Sequence, residues 1–213
     1  MMKFMEQKAY AFQHTTTLQR LRGHLGTVLR HKYYVACGCF RLGLYRQGLC
    51  HDLSKFSPTE FIPGVKYYDG HVSPNNIERE LHDGCSLAWL HHKGRNKHHF
   101  EYWIDLSPRP GEGLIGCRMP LRYLAEMVCD RRAACKAYHG KDYHQGDAWA
   151  YYARSRFRLT MHPDTRALLE KALVLMRDEG EEAAFCWLRS LLAVTKDADY
   201  SAGQFGLDYR PLA

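Results

Sequence analysis

Apolar residues recur at three- and four-residue spacing through nearly every segment of this 213-residue chain, while strict alternation over strand lengths is scarce. Such a pattern buries its apolar stripes only by packing helix on helix, so the expected fold class is all-α, a single helical-bundle domain. Thr15 to Thr17 can cap a first helix that runs through Leu18, Leu21, Leu25, Val28 and Leu29 towards Cys37. A shorter helix is expected from Phe40 to Leu53, then a loop around Ser57-Pro58 and Pro63-Gly64. Ser73-Pro74 opens the next helix, reaching roughly to His92, and Gly94 breaks the pattern, leaving His98 and His99 on a loop or short turn. Leu106 to Gly116 is rich in Pro and Gly and reads as a loop. Pro120 then starts a helix that ends before Gly140. Three more helices follow, at Asp147–Leu159, Asp164–Asp178 and Glu181–Val194, and the tail from Tyr200 reads as irregular. No repeat, low-complexity tract or linker divides the chain, which points to one domain with its core at about 15–195.

Hydrophobic residues make up 46% of the chain and charged residues 25%, enough to build a core. The longest uncharged apolar stretch, Tyr33 to Phe40, is far short of a membrane span. Lys3, Glu6 and Lys8 interrupt the N-terminus where a signal peptide would be apolar, and the eight cysteines include no C-x-x-C pair. Both features predict a cytoplasmic protein with free, buried thiols. The net charge of +7 favours anionic partners: nucleotides, phosphate esters or nucleic acid. Nucleic acid is the less favoured of these, since no zinc-finger, homeodomain or RNA-binding signature occurs. Nor does the chain contain a P-loop, a dinucleotide-binding turn or a nucleophile elbow.

The chemistry lies in the histidines and aspartates. His51-Asp52 ends the run Gly48-Leu49-Cys50, His31 lies upstream on the first long helix, and Asp130 follows Met127-Val128-Cys129 far downstream. A lone helical histidine is more often a surface or hydrogen-bonded core residue than a ligand. The joint occurrence shifts those odds, because a bundle brings distant helical residues together and a carboxylate among apolar neighbours needs a charged partner. Glu126, one turn before Asp130, shares its face and is a candidate to hold a ligand in place, to be a ligand itself, or to pair with Arg122.

The block Gly48-Leu49-Cys50-His51-Asp52-Leu53-Ser54-Lys55-Phe56 resembles the signature of the HD superfamily of metal-dependent phosphohydrolases. The likeness covers about residues 25 to 135. It extends to a branch that shares an HDLSKF-like block, a His-His block before a Tyr-Trp pair, and a Glu-Met-x-x-Asp block. The resemblance implies that His31, His51, Asp52 and Asp130 bind a divalent metal and that Lys55 faces substrate phosphate. In dinuclear members, additional histidines hold a second ion. His91 or His92 with His98 or His99 are the candidates for that here, since Gly94 lets the chain turn between the two pairs.

Imidazole and carboxylate donors suit one or two ions of Mn, Fe, Co, Ni or Zn better than Ca. What the resemblance implies is hydrolysis of a nucleotide or other phosphate ester by a metal-bound hydroxide. Asp52 would orient the centre, and Lys55, Lys93, Arg95 or Arg131 would neutralise phosphate charge. The same ligand set also resembles the di-iron centre of HD-type oxygenases. A third reading is a basic, non-enzymatic binding protein with a degenerate metal site.

Overall fold

The computed structural model describes Tyr10 and residues 14–207. Among these residues the regular structure is nine α-helices and one two-stranded hairpin, so the all-α expectation holds. The helices are α1 (Thr17–Arg41), α2 (Tyr45–Cys50), α3 (Pro58–Lys66), α4 (Pro74–Leu81), α5 (Leu87–Lys93), α6 (Leu121–His139), α7 (Asp147–Ala153), α8 (Pro163–Asp178) and α9 (Glu181–Val194). No helix among the described residues is long and apolar enough to cross a membrane. Lys3, Glu6 and Lys8, and the end of the tail beyond residue 207, lie outside the described residues.

Thr16 starts α1 with a capping box. Its hydroxyl accepts from the Gln19 amide at 3.3 Å, and the Gln19 side chain accepts from the Thr16 amide at 2.8 Å. The helix then packs along α6. Gly38 makes that approach possible: a Cβ there would meet Cys129 Sγ at 3.0 Å. Val35 and Cys39 of α1 share one core with Leu124, Val128 and Cys129 of α6, Leu168, Leu169 and Leu173 of α8, and Phe185 and Leu188 of α9. Tyr200 closes this core from the C-terminal side, its hydroxyl donating to the Met119 carbonyl at 2.7 Å.

Several boundaries differ from the sequence expectation. The helix expected over Phe40–Leu53 is two helices: α1 runs to Arg41, Gly43 turns the chain at φ +70°, and α2 stops at Cys50. The loop expected around Pro58 and Pro63 is α3, with Pro58 in its first turn and Pro63 inside it. Packing overrides the missing N–H there, and Gly64 lies where any Cβ would strike the His24 ring, 2.3 Å from Nε2. The helix expected from Ser73 to His92 breaks at Asp83 and Gly84, both at positive φ, before Ser86 caps α5 by accepting from the Trp89 amide. Leu106–Gly116, read as a loop, closes a hairpin of β1 (Ile104–Leu106) and β2 (Leu114–Gly116), strands too short to show alternation. The stretch Asp147–Leu159 is helical only to Ala153, followed by a short 3₁₀ turn. All eight cysteines are free, but burial is complete only for Cys39 and Cys129, and Cys50, Cys85 and Cys186 are exposed.

Glu181 ties α6 to the start of α9. Its carboxylate accepts from Arg132 at 2.6 Å, Lys136 at 2.9 Å and the Tyr143 hydroxyl at 2.9 Å. Partial burial opposes ionisation, yet the two cations hold this carboxyl down at about 2. Its depressed pKa means that the stabilisation is complete above the usual 4.5 and is lost as pH falls through about 2. Discounted for solvent screening, Glu181→Gln is expected to cost about 1–2 kcal/mol at neutral pH. In urea unfolding, the gap to wild type should narrow below about pH 4.5. A gap that widens on acidification would contradict this role.

Candidate metal centre

A break in the helical backbone builds the centre. Neighbouring side chains on a helix diverge, so an adjacent His-Asp pair in a helix would serve different surroundings. Here α2 ends at Cys50, His51 is extended (φ −52°, ψ 129°), and Asp52 is left-handed (φ 53°, ψ 30°). That turn carries both side chains into one buried space; Asp52 is 1% exposed and His51 2%. A non-glycine residue at positive φ is a strained position of the kind held at functional sites. Lys32 of α1 secures the turn by donating to the His51 carbonyl.

Asp52 divides the centre in two. Its Oδ2 faces His51 Nε2 at 3.2 Å, His31 Nε2 at 3.6 Å and Lys55 Nζ at 2.6 Å. Asp130 Oδ1 completes that side, 3.0 Å from His31 Nε2 and 3.6 Å from His51 Nε2. The other oxygen, Oδ1, faces His92 Nε2 at 3.3 Å and His98 Nε2 at 3.4 Å. His99 joins this second group, its ring 4.3 Å from that of His98 and 4.7 Å from that of His92.

Both groups have donor spacings that suit a metal ion. An ion about 2.1 Å from each donor separates neighbouring donors by about 3.0 Å in an octahedron and about 3.4 Å in a tetrahedron. The histidine–carboxylate separations at Asp52 and Asp130, 3.0 to 3.6 Å, lie around those two values. His31, His51, Asp52 and Asp130 form one group able to hold an ion, and Asp52, His92, His98 and His99 another.

The histidine tautomers make the same point. A carboxylate accepts, so a ring nitrogen against it must carry the proton. Glu126 lies 2.9 Å from His51 Nδ1 and 3.2 Å from His98 Nδ1, and Glu60 lies 2.7 Å from His92 Nδ1. In the neutral rings this leaves three Nε2 lone pairs aimed at the Asp52 carboxylate, an arrangement that repels itself without a cation. Neither Asp52 oxygen, nor His98 Nε2, nor His99 Nε2 makes a well-angled hydrogen bond, although all are buried. The residues therefore fit a divalent ion on each side of Asp52. A third combination, His51, His98 and Glu126, is close enough for an ion but already bonds internally through Nδ1.

Burial disfavours the His51 cation, but Asp52, Asp130 and Glu126 outweigh it and raise its pKa well above the usual range. Burial likewise opposes ionisation of Asp52 and Asp130, yet the surrounding histidines hold both well below the carboxylate range, with Lys55 adding to the effect at Asp52. His99 is pushed well down, by burial first and then by His98 and His92.

The candidates drawn from the sequence divide clearly. His31, His51, Asp52 and Asp130 converge. Of the four later histidines, His92, His98 and His99 gather at Asp52, while His91 belongs to neither group and pairs with Glu60 at 2.6 Å. Lys55 sits on Asp52 rather than projecting free, its side chain 27% exposed at the edge of the centre. Lys93 and Arg131 are half-buried near Glu101, whose carboxyl is raised by burial against the pull of their charge, and Arg95 is exposed. Glu126 holds two histidines and not Arg122, which pairs with Asp197 at 2.6 Å. Glu60 carries no sequence signal, because nothing in Pro58-Thr59-Glu60-Phe61 distinguishes a buried carboxylate from an exposed one.

Saturation with Mn²⁺ or Zn²⁺ at about 100 times Kd should stabilise the protein by about 2.7 kcal/mol for each ion held, roughly 5–10 °C in Tm per ion. His51→Ala and Asp130→Ala should lose that shift. An equal shift in both variants would place the ion elsewhere.

The model of a family of unknown function, DUF5662, matches residues 20–175, and the chain belongs to that family. No curated protein and no solved structure matches it.

Proposed function

We propose that this member of the DUF5662 family is a metal-dependent phosphohydrolase of the HD type, acting on a nucleotide or another small phosphate ester. The observation that carries the reading is Asp52, one oxygen turned to each of two histidine-rich groups, with the Lys55 ammonium 2.6 Å from Oδ2. Divalent ions bound there would lower the pKa of a water and withdraw charge from phosphoryl oxygens.

The protein's own residues supply the rest. Glu126 and Glu60 engage Nδ1 of His51, His98 and His92 and so turn each Nε2 inward, which orients the donor set before any ligand arrives. Lys55 stands where the centre meets solvent and can donate a charge-assisted hydrogen bond to a phosphate oxygen as negative charge grows. Asp130, with 16% of its side chain exposed, is the carboxylate on that same open side, where it can accept a hydrogen bond from the attacking water. In the hydrolysis, water adds to phosphorus, the bond to the leaving oxygen breaks, and that oxygen gains a proton. The net charge of +7 favours the encounter with an anionic substrate.

Purified protein supplied with Mn²⁺, Co²⁺, Ni²⁺ or Zn²⁺ is expected to release phosphate or a nucleoside monophosphate from some member of a nucleotide and phosphate-ester panel. Asp52→Ala should abolish that turnover, and Lys55→Ala should lower kcat/KM by roughly 10²-fold. Unchanged turnover in Asp52→Ala, or oxygen consumption by the iron-loaded protein without hydrolysis, would overturn the phosphohydrolase reading.

A further inference from the structure

We infer that Glu60 is a positioning residue dedicated to the His92–His98–His99 side of the centre, whereas Glu126 serves both sides. The inference rests on the reading that each side of Asp52 holds an ion. Its basis is the way the two buried glutamates are wired.

Glu126 touches one histidine from each group, His51 at 2.9 Å and His98 at 3.2 Å. Glu60 is different. It lies on α3, 6% exposed, and both of its oxygens are engaged from α5: Oε1 with His91 Nδ1 at 2.6 Å and Oε2 with His92 Nδ1 at 2.7 Å. Neither oxygen contacts His31, His51 or Asp130. A buried carboxylate needs both oxygens satisfied, and one histidine ligand supplies only one donor. His91 supplies a second and Ser54 a further one, which gives a role to a histidine that belongs to neither metal group. The outcome falls on His92: with Nδ1–H committed to Glu60, its Nε2 lone pair is held 3.3 Å from Asp52 Oδ1. Asn96 packs beside the same nitrogen, its Nδ2 3.2 Å from His92 Nδ1, and donates to Ser54 Oγ and to the His92 carbonyl, both at 2.8 Å.

An amide in place of Glu60 keeps the size but offers one acceptor where two are used, and its NH₂ faces a ring N–H. His92 then loses its fixed tautomer and orientation, and the neighbouring ion weakens while the His31–His51–Asp130 side is left intact.

The test is titration of the metal-free 213-residue chain with Mn²⁺, read by calorimetry and by electron paramagnetic resonance. Wild type is expected to take up two ions whose spectrum shows spin coupling through the shared carboxylate. Glu60→Gln should bind one ion with near-wild-type affinity and the other roughly 10–100-fold more weakly, giving an uncoupled single-ion spectrum at one equivalent per chain. Glu126→Gln should weaken both ions. Should Glu60→Gln fail to fold, His91→Gln replaces one half-buried anchor and is expected to weaken the second ion alone by a smaller factor. Two ions at unchanged affinity in these variants would overturn the assignment of Glu60, as would equal loss of both ions in Glu60→Gln. Fewer than two ions in wild type would instead remove the two-ion reading on which it stands.

Discussion

The buried carboxylate of Asp52 is the interaction on which the rest of the centre depends. It is 1% exposed, held in a left-handed conformation, and faced by histidine nitrogens from four segments of the chain. An ion-sized charge in such surroundings is costly unless opposite charge meets it at close range. Lys55 meets one oxygen, and the lone pairs of His92 and His98 lie against the other. The strained backbone at residue 52 and the three imidazoles turned toward its carboxylate make physical sense together as ligands arranged around positive charge.

The helices contribute position. Packing of α1 on α6, brought close at Gly38 and Cys129, sets His31 against Asp130, which lie 99 residues apart in sequence yet 3.0 Å apart in space. The short α3 and α5 hold Glu60, His91 and His92 as a unit, and the turn after Gly94 returns His98 and His99 to the same place. Glu126, one turn before Asp130 on α6, reaches behind both groups. The long helices thus carry His31, Glu126 and Asp130, and the short helices and turns carry the remaining residues of the centre.

Much of this arrangement was legible in the residues themselves. Helical periodicity announced the fold class and the three C-terminal helices, and the linked occurrence of His31, His51-Asp52 and Asp130 marked one group before any geometry was known. The break at His51 was not legible, because Leu49-Cys50-His51-Asp52-Leu53 carries no glycine or proline to signal a residue at positive φ. The strained turn is imposed by tertiary contacts, among them the hydrogen bond from Lys32. Which of His91, His92, His98 and His99 faces Asp52 depended on a carboxylate in another helix, Glu60, and a partnership between distant segments leaves no local trace. The hairpin at Ile104–Gly116 was hidden because three-residue strands are too short to show a period.

The central claim is that Asp52 stands between two ions, and anomalous X-ray diffraction from crystals grown with Mn²⁺ tests it most directly. Two anomalous peaks are expected per chain, one among His31, His51 and Asp130 and one among His92, His98 and His99, with Asp52 between them. A centre without anomalous density at saturating Mn²⁺, or with peaks only at surface carboxylates, would contradict it.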